Sequence, residues 1–112
     1  MKLHKTLVLA VTETIYRIFS EGMYADKAVE QVLKSNSRFG SRDRRFIAEN
    51  VYGMVRWWRL INEAAEKKDQ MLHLFAVWML IKGEELPDWE EFRTIDRESI
   101  LAKYNELKNT RK

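Results

Sequence analysis

Apolar residues recur every three or four positions along most of this 112-residue chain, a spacing typical of amphipathic α-helices. The spacing predicts a first helix over residues 3–21 and a second over residues 25–35. A long third helix is predicted over residues 41–66, a fourth over residues 70–82 and a last one over residues 96–107. No stretch convincingly shows the period-two alternation of a strand. The pattern therefore predicts an all-α fold, a single compact helical domain of five or six helices.

The third predicted helix has two contrasting faces. One face is a narrow apolar stripe that we expect to enter the core, formed by Ile47, Val51, Met54, Trp58 and Ile61. The opposite face carries arginines around an aromatic ring, formed by Arg45, Tyr52, Arg56 and Arg59 together with Glu49. Three further arginines, Arg38, Arg42 and Arg44, surround the start of the helix, where Ser41 is the predicted N-cap.

Two interpretations of the arginine face stay open. An arginine presents a planar fork of donors that binds phosphate and stacks on bases, so the face suits RNA, with Tyr52 as a stacking surface. Alternatively, the arginines lie on an ordinary solvated face, because Arg45–Glu49 and Arg59–Glu63 have the i,i+4 spacing of helical ion pairs.

The start of the third helix leaves the same choice. Free backbone N–H groups at a helix start attract phosphate, and the nearby guanidinium groups would strengthen such a site. In the alternative, Asp43 takes one of these arginines in a local ion pair.

The net charge of +3 is unevenly distributed. Residues 38–59 carry six arginines against two acidic residues, a net charge of +4. Residues 84–98 carry seven acidic residues against two arginines, a net charge of −5. This asymmetry indicates a basic face for an anionic partner.

Composition excludes several kinds of chemistry. The chain has no Cys, which rules out disulfides, thiolate metal sites and a cysteine nucleophile, and fits a cytoplasmic protein. The most apolar run, Met71–Ile81, is too short to span a bilayer and predicts a buried helix, with His73 as a core histidine. No metal-ligand motif and no phosphate-cradling glycine loop is present. We therefore expect no catalytic, metal-binding or cofactor-binding residue in this chain.

Two stretches carry a family resemblance. GSRDRRFIAENVYGMVRWWRL, residues 40–60, resembles the signature segment in the N-terminal domain of Sun/Fmu-type RNA methyltransferases, which make 5-methylcytosine in ribosomal RNA. The upstream YADKAVEQVLKSN, residues 24–36, also matches that family, so the resemblance covers roughly residues 1–80. That N-terminal domain is similar to the antitermination factor NusB, a small all-helical RNA-binding fold.

The resemblance implies an RNA-binding accessory domain with a NusB-like fold, and it implies ribosomal RNA as the partner. In that family, chemistry resides in a following doubly wound domain that needs S-adenosylmethionine and catalytic cysteines, so this chain alone is not expected to be an enzyme. Residues 1–112 are then one domain from the N-terminal part of a longer methyltransferase. The residues expected to bind RNA are Arg38, Arg42, Arg44, Arg45, Tyr52, Arg56 and Arg59. The alternatives are a free-standing NusB-like RNA-binding factor and a protein-interaction module whose basic face meets an acidic partner.

Overall fold

Helices account for all regular secondary structure in the computed structural model, which describes residues 3–110. In chain order the α-helices are α1 (Lys5–Phe19), α2 (Ala25–Lys34), α3 (Ser41–Arg56), α4 (Trp58–Ala64), α5 (Met71–Ile81) and α6 (Arg97–Thr110). A 3-10 helix, Glu90–Phe92, lies between α5 and α6. No strand occurs within residues 3–110, so the all-α prediction is confirmed. The chain divides into two compact units, one ending at Arg56 and the other beginning at Trp57.

The first unit contains α1, α2 and α3, and each of these helices packs against the other two. Their apolar stripes are buried as the periodicity predicts: Val8, Val11, Ile15, Ala28, Val29, Val32, Ile47, Val51 and Met54. A hydrogen bond also joins α1 to α2: the Arg17 guanidinium donates to Gln31 Oε1 at 3.2 Å. The side of α3 that faces away from its apolar stripe is left at the surface.

The second unit contains α4, α5, the 3-10 helix and α6. Within it α5 contacts all three other elements, and every residue from His73 to Leu80 is buried. The prediction that Met71–Ile81 forms a buried helix is therefore confirmed. Trp89 stacks on Phe92 with ring centroids 5.3 Å apart. No helix within the described part of the chain has the length and hydrophobicity needed to cross a membrane.

The predicted long third helix is wrong, because the chain leaves helical geometry at Trp57. Trp57 has φ −105° and ψ 20°, α3 ends one residue before it, and α4 begins one residue after it. Trp57 and Trp58 each lose χ1 freedom against the preceding helical turn, which lowers the helix propensity at two successive positions. The apolar spacing continues through the break, since Ile61 is fully buried, so periodicity alone does not reveal it. Trp58 lies on α4 and is only half-buried, which corrects its assignment to the core stripe.

Helix ends are closed by glycine where the sequence places one. Gly22 and Gly83 both have positive φ, of 72° and 81°. After α5 the Gly83 N–H donates to the Leu80 carbonyl and the Glu84 N–H donates to the Met79 carbonyl, both at 3.0 Å. This pair of bonds is a Schellman motif.

The last helix, α6, continues to Thr110, beyond the predicted limit at residue 107. Residues 111–112 lie outside the described part.

Candidate nucleic-acid interface

The start of α3 is organised by Asp43. The Arg44 N–H donates to the Gly40 carbonyl at 3.0 Å, which makes Gly40 the N-cap residue and Ser41 the first helical residue. The predicted N-cap at Ser41 is therefore wrong by one position. The Asp43 carboxylate reaches back and accepts a hydrogen bond from the Gly40 N–H at 3.2 Å. This is the acidic half of a capping box, with Asp in the position that Glu or Gln usually takes.

The arginines around Asp43 form no ion pair with it within the described residues. Arg42, Arg44 and Arg45 are exposed, and within residues 3–110 none of their guanidinium groups forms a hydrogen bond or ion pair. Asp43 instead satisfies a backbone donor of its own helix. Of the two alternatives left open at the helix start, the local ion pair is absent from this part of the structure, and the three guanidinium groups have no ion-pair partner there.

A cleft of about 450 Å³ opens between the start of α1 and the first turns of α3. Its lining comes from two short stretches of the first unit: Leu3, His4 and Leu7, and Arg42, Asp43, Arg45, Phe46 and Glu49. The four α3 residues other than Asp43 are three or four positions apart, which places them on one helical face. The structure thus brings together two of the predicted RNA-binding arginines, a half-buried aromatic ring and a carboxylate.

Arg45 and Glu49 have the spacing of an ion pair but do not form one. Elsewhere in the first unit the same spacing does give ion pairs, Lys34–Glu30 at 2.8 Å and Arg17–Glu13 at 3.9 Å. In the part of the chain that the structure describes, neither Arg45 nor Glu49 has a side-chain partner. The cleft therefore offers both a free cation and a free hydrogen-bond acceptor.

Tyr52 lies on α3 and is 41% exposed as a residue. Its hydroxyl donates a hydrogen bond to the Asp26 carboxylate on α2, and this bond raises the pKa of Tyr52 above its ordinary value. The tyrosine thus stays neutral and its ring is held at one end. An immobilised aromatic face at the surface suits the stacking role that the sequence predicts.

The remaining predicted site residues are spread more widely. Arg38 is exposed in the turn before α3, where its backbone N–H donates to Asn36 Oδ1 at 2.9 Å. Arg56 is exposed at the last position of α3. Arg59 belongs to α4 in the second unit. The prediction that Arg45, Arg56 and Arg59 share one helix face is wrong for Arg59, because the helix breaks at Trp57.

The sequence interpretation missed the cleft itself. Its α1 side depends on which helix packs beside α3, and the apolar period of a helix does not specify its neighbour. In the sequence Glu49 enters only as a possible ion-pair partner of Arg45, and Phe46 is not singled out. One signal was available, because Arg42, Arg45, Phe46 and Glu49 fall on one face of any helix that includes them.

His73 in the second unit has a structural role, as predicted. It is 7% exposed, and its Nε2 accepts a hydrogen bond from the Glu66 backbone N–H at 3.1 Å. Burial lowers the pKa of His73, although the charge of Glu66 opposes this effect. Within residues 3–110, no three His, Asp or Glu side chains are grouped to hold a metal ion.

On α3 the first unit combines three exposed arginines, Arg42, Arg44 and Arg45, with the aromatic side chains of Phe46 and Tyr52. Comparison with protein-family models, with curated proteins and with solved structures finds no match for this chain.

Proposed function

We propose that this chain is an RNA-binding accessory domain of a Sun/Fmu-type rRNA cytosine-5 methyltransferase. It holds RNA mainly through the arginines at the start of α3. The observation that carries the proposal is that Arg42, Arg44 and Arg45 form no ion pair within residues 3–110, while Asp43 Oδ2 instead accepts the Gly40 N–H at 3.2 Å.

Arginines that have no ion-pair partner among the described residues favour a polyanion over a neutral partner. Guanidinium groups bind phosphate through paired N–H donors, and they release counterions from the nucleic acid when they do so. Phe46 and Tyr52 lie on the same helix, half-buried and exposed respectively. Aromatic rings between cations are the combination that single-stranded RNA uses, because unstacked bases need a surface to stack on.

The assignment to a methyltransferase rests on the resemblance of residues 24–36 and 40–60 to the Sun/Fmu family. On this proposal the fold is NusB-like, and methyl transfer with S-adenosylmethionine occurs in a following catalytic domain of the same polypeptide. The chain then contributes affinity and position: it holds ribosomal RNA while the target cytosine enters the catalytic domain. No residue of this chain is assigned a catalytic role.

The proposal is tested by comparing two polyanions. The chain is titrated against a fluorescent single-stranded oligouridine of about 12 nucleotides and against a polyglutamate peptide of equal charge, in the same buffer. We expect the RNA to bind and the peptide to bind much more weakly, because only RNA offers phosphates and stackable bases. Equal binding of both would support an acidic protein partner instead, and no binding of the RNA would contradict the proposal.

A further inference from the structure

We infer that the cleft between α1 and α3 is a nucleotide pocket that selects guanine. The inference rests on the proposed function and adds to it a base preference. It starts from the coexistence, in one cleft, of free guanidinium groups and a free carboxylate, those of Arg42, Arg45 and Glu49. A simple anion would bind the guanidinium groups but would be repelled by the nearby carboxylate, so the ligand that matches the whole cleft carries both negative charge and N–H donors.

The size of the cleft fits one nucleotide. Its volume of about 450 Å³ is within the range of ordinary small-ligand pockets. It is open on one side, since Arg42, Arg45 and Glu49 are exposed. A nucleotide in a flexible single strand can enter such an opening without breaking any base pair.

Each part of a nucleotide has a counterpart in the lining. Arg42 and Arg45 match the phosphate, and the half-buried side chains of Leu7 and Phe46 match the flat face of a base. Glu49 matches the N–H groups on the edge of the base. Asp43 also lines the cleft, but its Oδ2 accepts the Gly40 N–H and this bond ties the carboxylate to the start of α3. Glu49 has no such bond within residues 3–110, so both of its oxygens can bind the base.

A carboxylate discriminates among the four bases by their edges. Guanine presents two adjacent donors, N1–H and the N2 amine, and both can bind one carboxylate through its two oxygens. Uracil presents a single N–H between two carbonyl oxygens, and these oxygens are repelled by a carboxylate. Adenine and cytosine each offer an amine beside a ring nitrogen that is itself an acceptor. Guanine is therefore the best partner for Glu49 and uracil the poorest.

The test uses short oligouridines that carry one central guanine, inosine, adenine, cytosine or uridine. We expect the guanine oligomer to bind about tenfold more tightly than the all-uridine one, which is the size of effect that a paired base contact gives. Inosine lacks the N2 amine and keeps N1–H, so it should fall between the two. Equal affinity for all five oligomers would overturn the inference.

The Glu49→Gln variant separates base recognition from charge. It removes a negative charge, so the affinity for all-uridine RNA should stay the same or rise, while the preference for guanine should fall to near parity. Glu21→Gln is the matched control, because Glu21 is exposed in the same unit and does not line the cleft. The control should keep the full guanine preference.

The outcomes distinguish this inference from the proposed function. Salt-dependent binding of every oligomer without a guanine preference would overturn the pocket and leave RNA binding intact. Absence of binding to all oligomers would contradict both. A loss of preference in Glu21→Gln as large as in Glu49→Gln would assign the effect to overall charge and overturn the role of Glu49.

Discussion

His73 accepts the Glu66 N–H through Nε2 at 3.1 Å, so only the neutral ring suits its buried position. Because burial lowers the pKa of His73 below the ordinary value of 6.5, the unfolded chain takes up a proton that the folded chain excludes. The free energy of unfolding should therefore be at its full value above about pH 6.5 and should decline as the pH falls toward 5. Urea unfolding followed by circular dichroism at several pH values measures this decline.

Two glutamine variants test the assignment to His73. His73→Gln keeps a side-chain acceptor that does not titrate, so the decline between about pH 7 and pH 5 should become smaller. His4→Gln is the matched control, since His4 is exposed, and it should keep the decline of the parent. The account of His73 is wrong if the two variants show the same pH dependence.

Tyr52 allows the hydroxyl and the ring to be tested separately. Tyr52→Phe removes the hydrogen bond to Asp26 and keeps the ring, so it should lower the free energy of unfolding by about 1 kcal/mol and leave RNA affinity nearly unchanged. Tyr52→Ala removes the ring as well and should weaken RNA binding by about 1–3 kcal/mol if a base stacks there. Fluorescence titration of single-stranded RNA measures the difference. Equal affinities of the two variants would exclude stacking at Tyr52.

At the scale of elements, Asp96 precedes α6 and Asp69 precedes α5, but only Asp96 caps its helix with a side-chain hydrogen bond. Asp96 Oδ1 accepts the Ser99 N–H at 3.0 Å at the start of α6, whereas α5 begins after Gln70 with no side-chain cap. Asp96→Ala should therefore lower the free energy of unfolding by about 1 kcal/mol, and Asp69→Ala should cost clearly less. Urea unfolding of both variants checks the pair. An equal loss would mean that Asp69 supports the start of α5 as strongly as Asp96 supports the start of α6.

The number of helices and their buried faces follow from the sequence more reliably than the helix limits do. Apolar spacing identifies α1, α2 and α5 to within about two residues at each end, which is the usual uncertainty of helix limits. The spacing from Met54 to Ile61 continues unbroken through Trp57, so the pattern cannot show that φ and ψ leave the helical region there. The capping residue depends on the exact first residue of a helix, which explains the error at Ser41.

The candidate site is predictable only where it lies on one helix. Arg42, Arg44 and Arg45 are evident from the sequence. Their lack of an ion-pair partner within residues 3–110 is not, because the spacing allows Asp43 and Glu49 to pair with them. In the described part of the structure the Asp43 carboxylate accepts the Gly40 N–H and does not pair with an arginine. Arg45 and Glu49 also form no ion pair among the described residues. The α1 wall of the cleft requires knowledge of helix packing, as does the contact between Tyr52 and Asp26.

For the whole molecule, the excess positive charge belongs to the first unit. Residues 1–56 carry ten basic and six acidic residues, a net charge of +4, and residues 57–112 carry ten basic and eleven acidic residues, a net charge of −1. The two units therefore differ in the field that they present to a polyanion. Removing two arginines from each unit in turn changes the total charge equally but should change RNA binding unequally.

The central claim is that arginines at the start of α3 contact phosphates, and the salt dependence of RNA binding tests it most directly. Each phosphate contact on a single strand contributes about 0.7 to the slope of log affinity against log salt, so the Arg42→Gln, Arg45→Gln double variant should lower the magnitude of that slope by about 1.4. The control is the Arg93→Gln, Arg97→Gln double variant, which removes the same charge from exposed positions of the second unit. We expect the control to keep the slope of the parent. An unchanged slope in the Arg42 and Arg45 variant, or an equal reduction in both, would contradict the account.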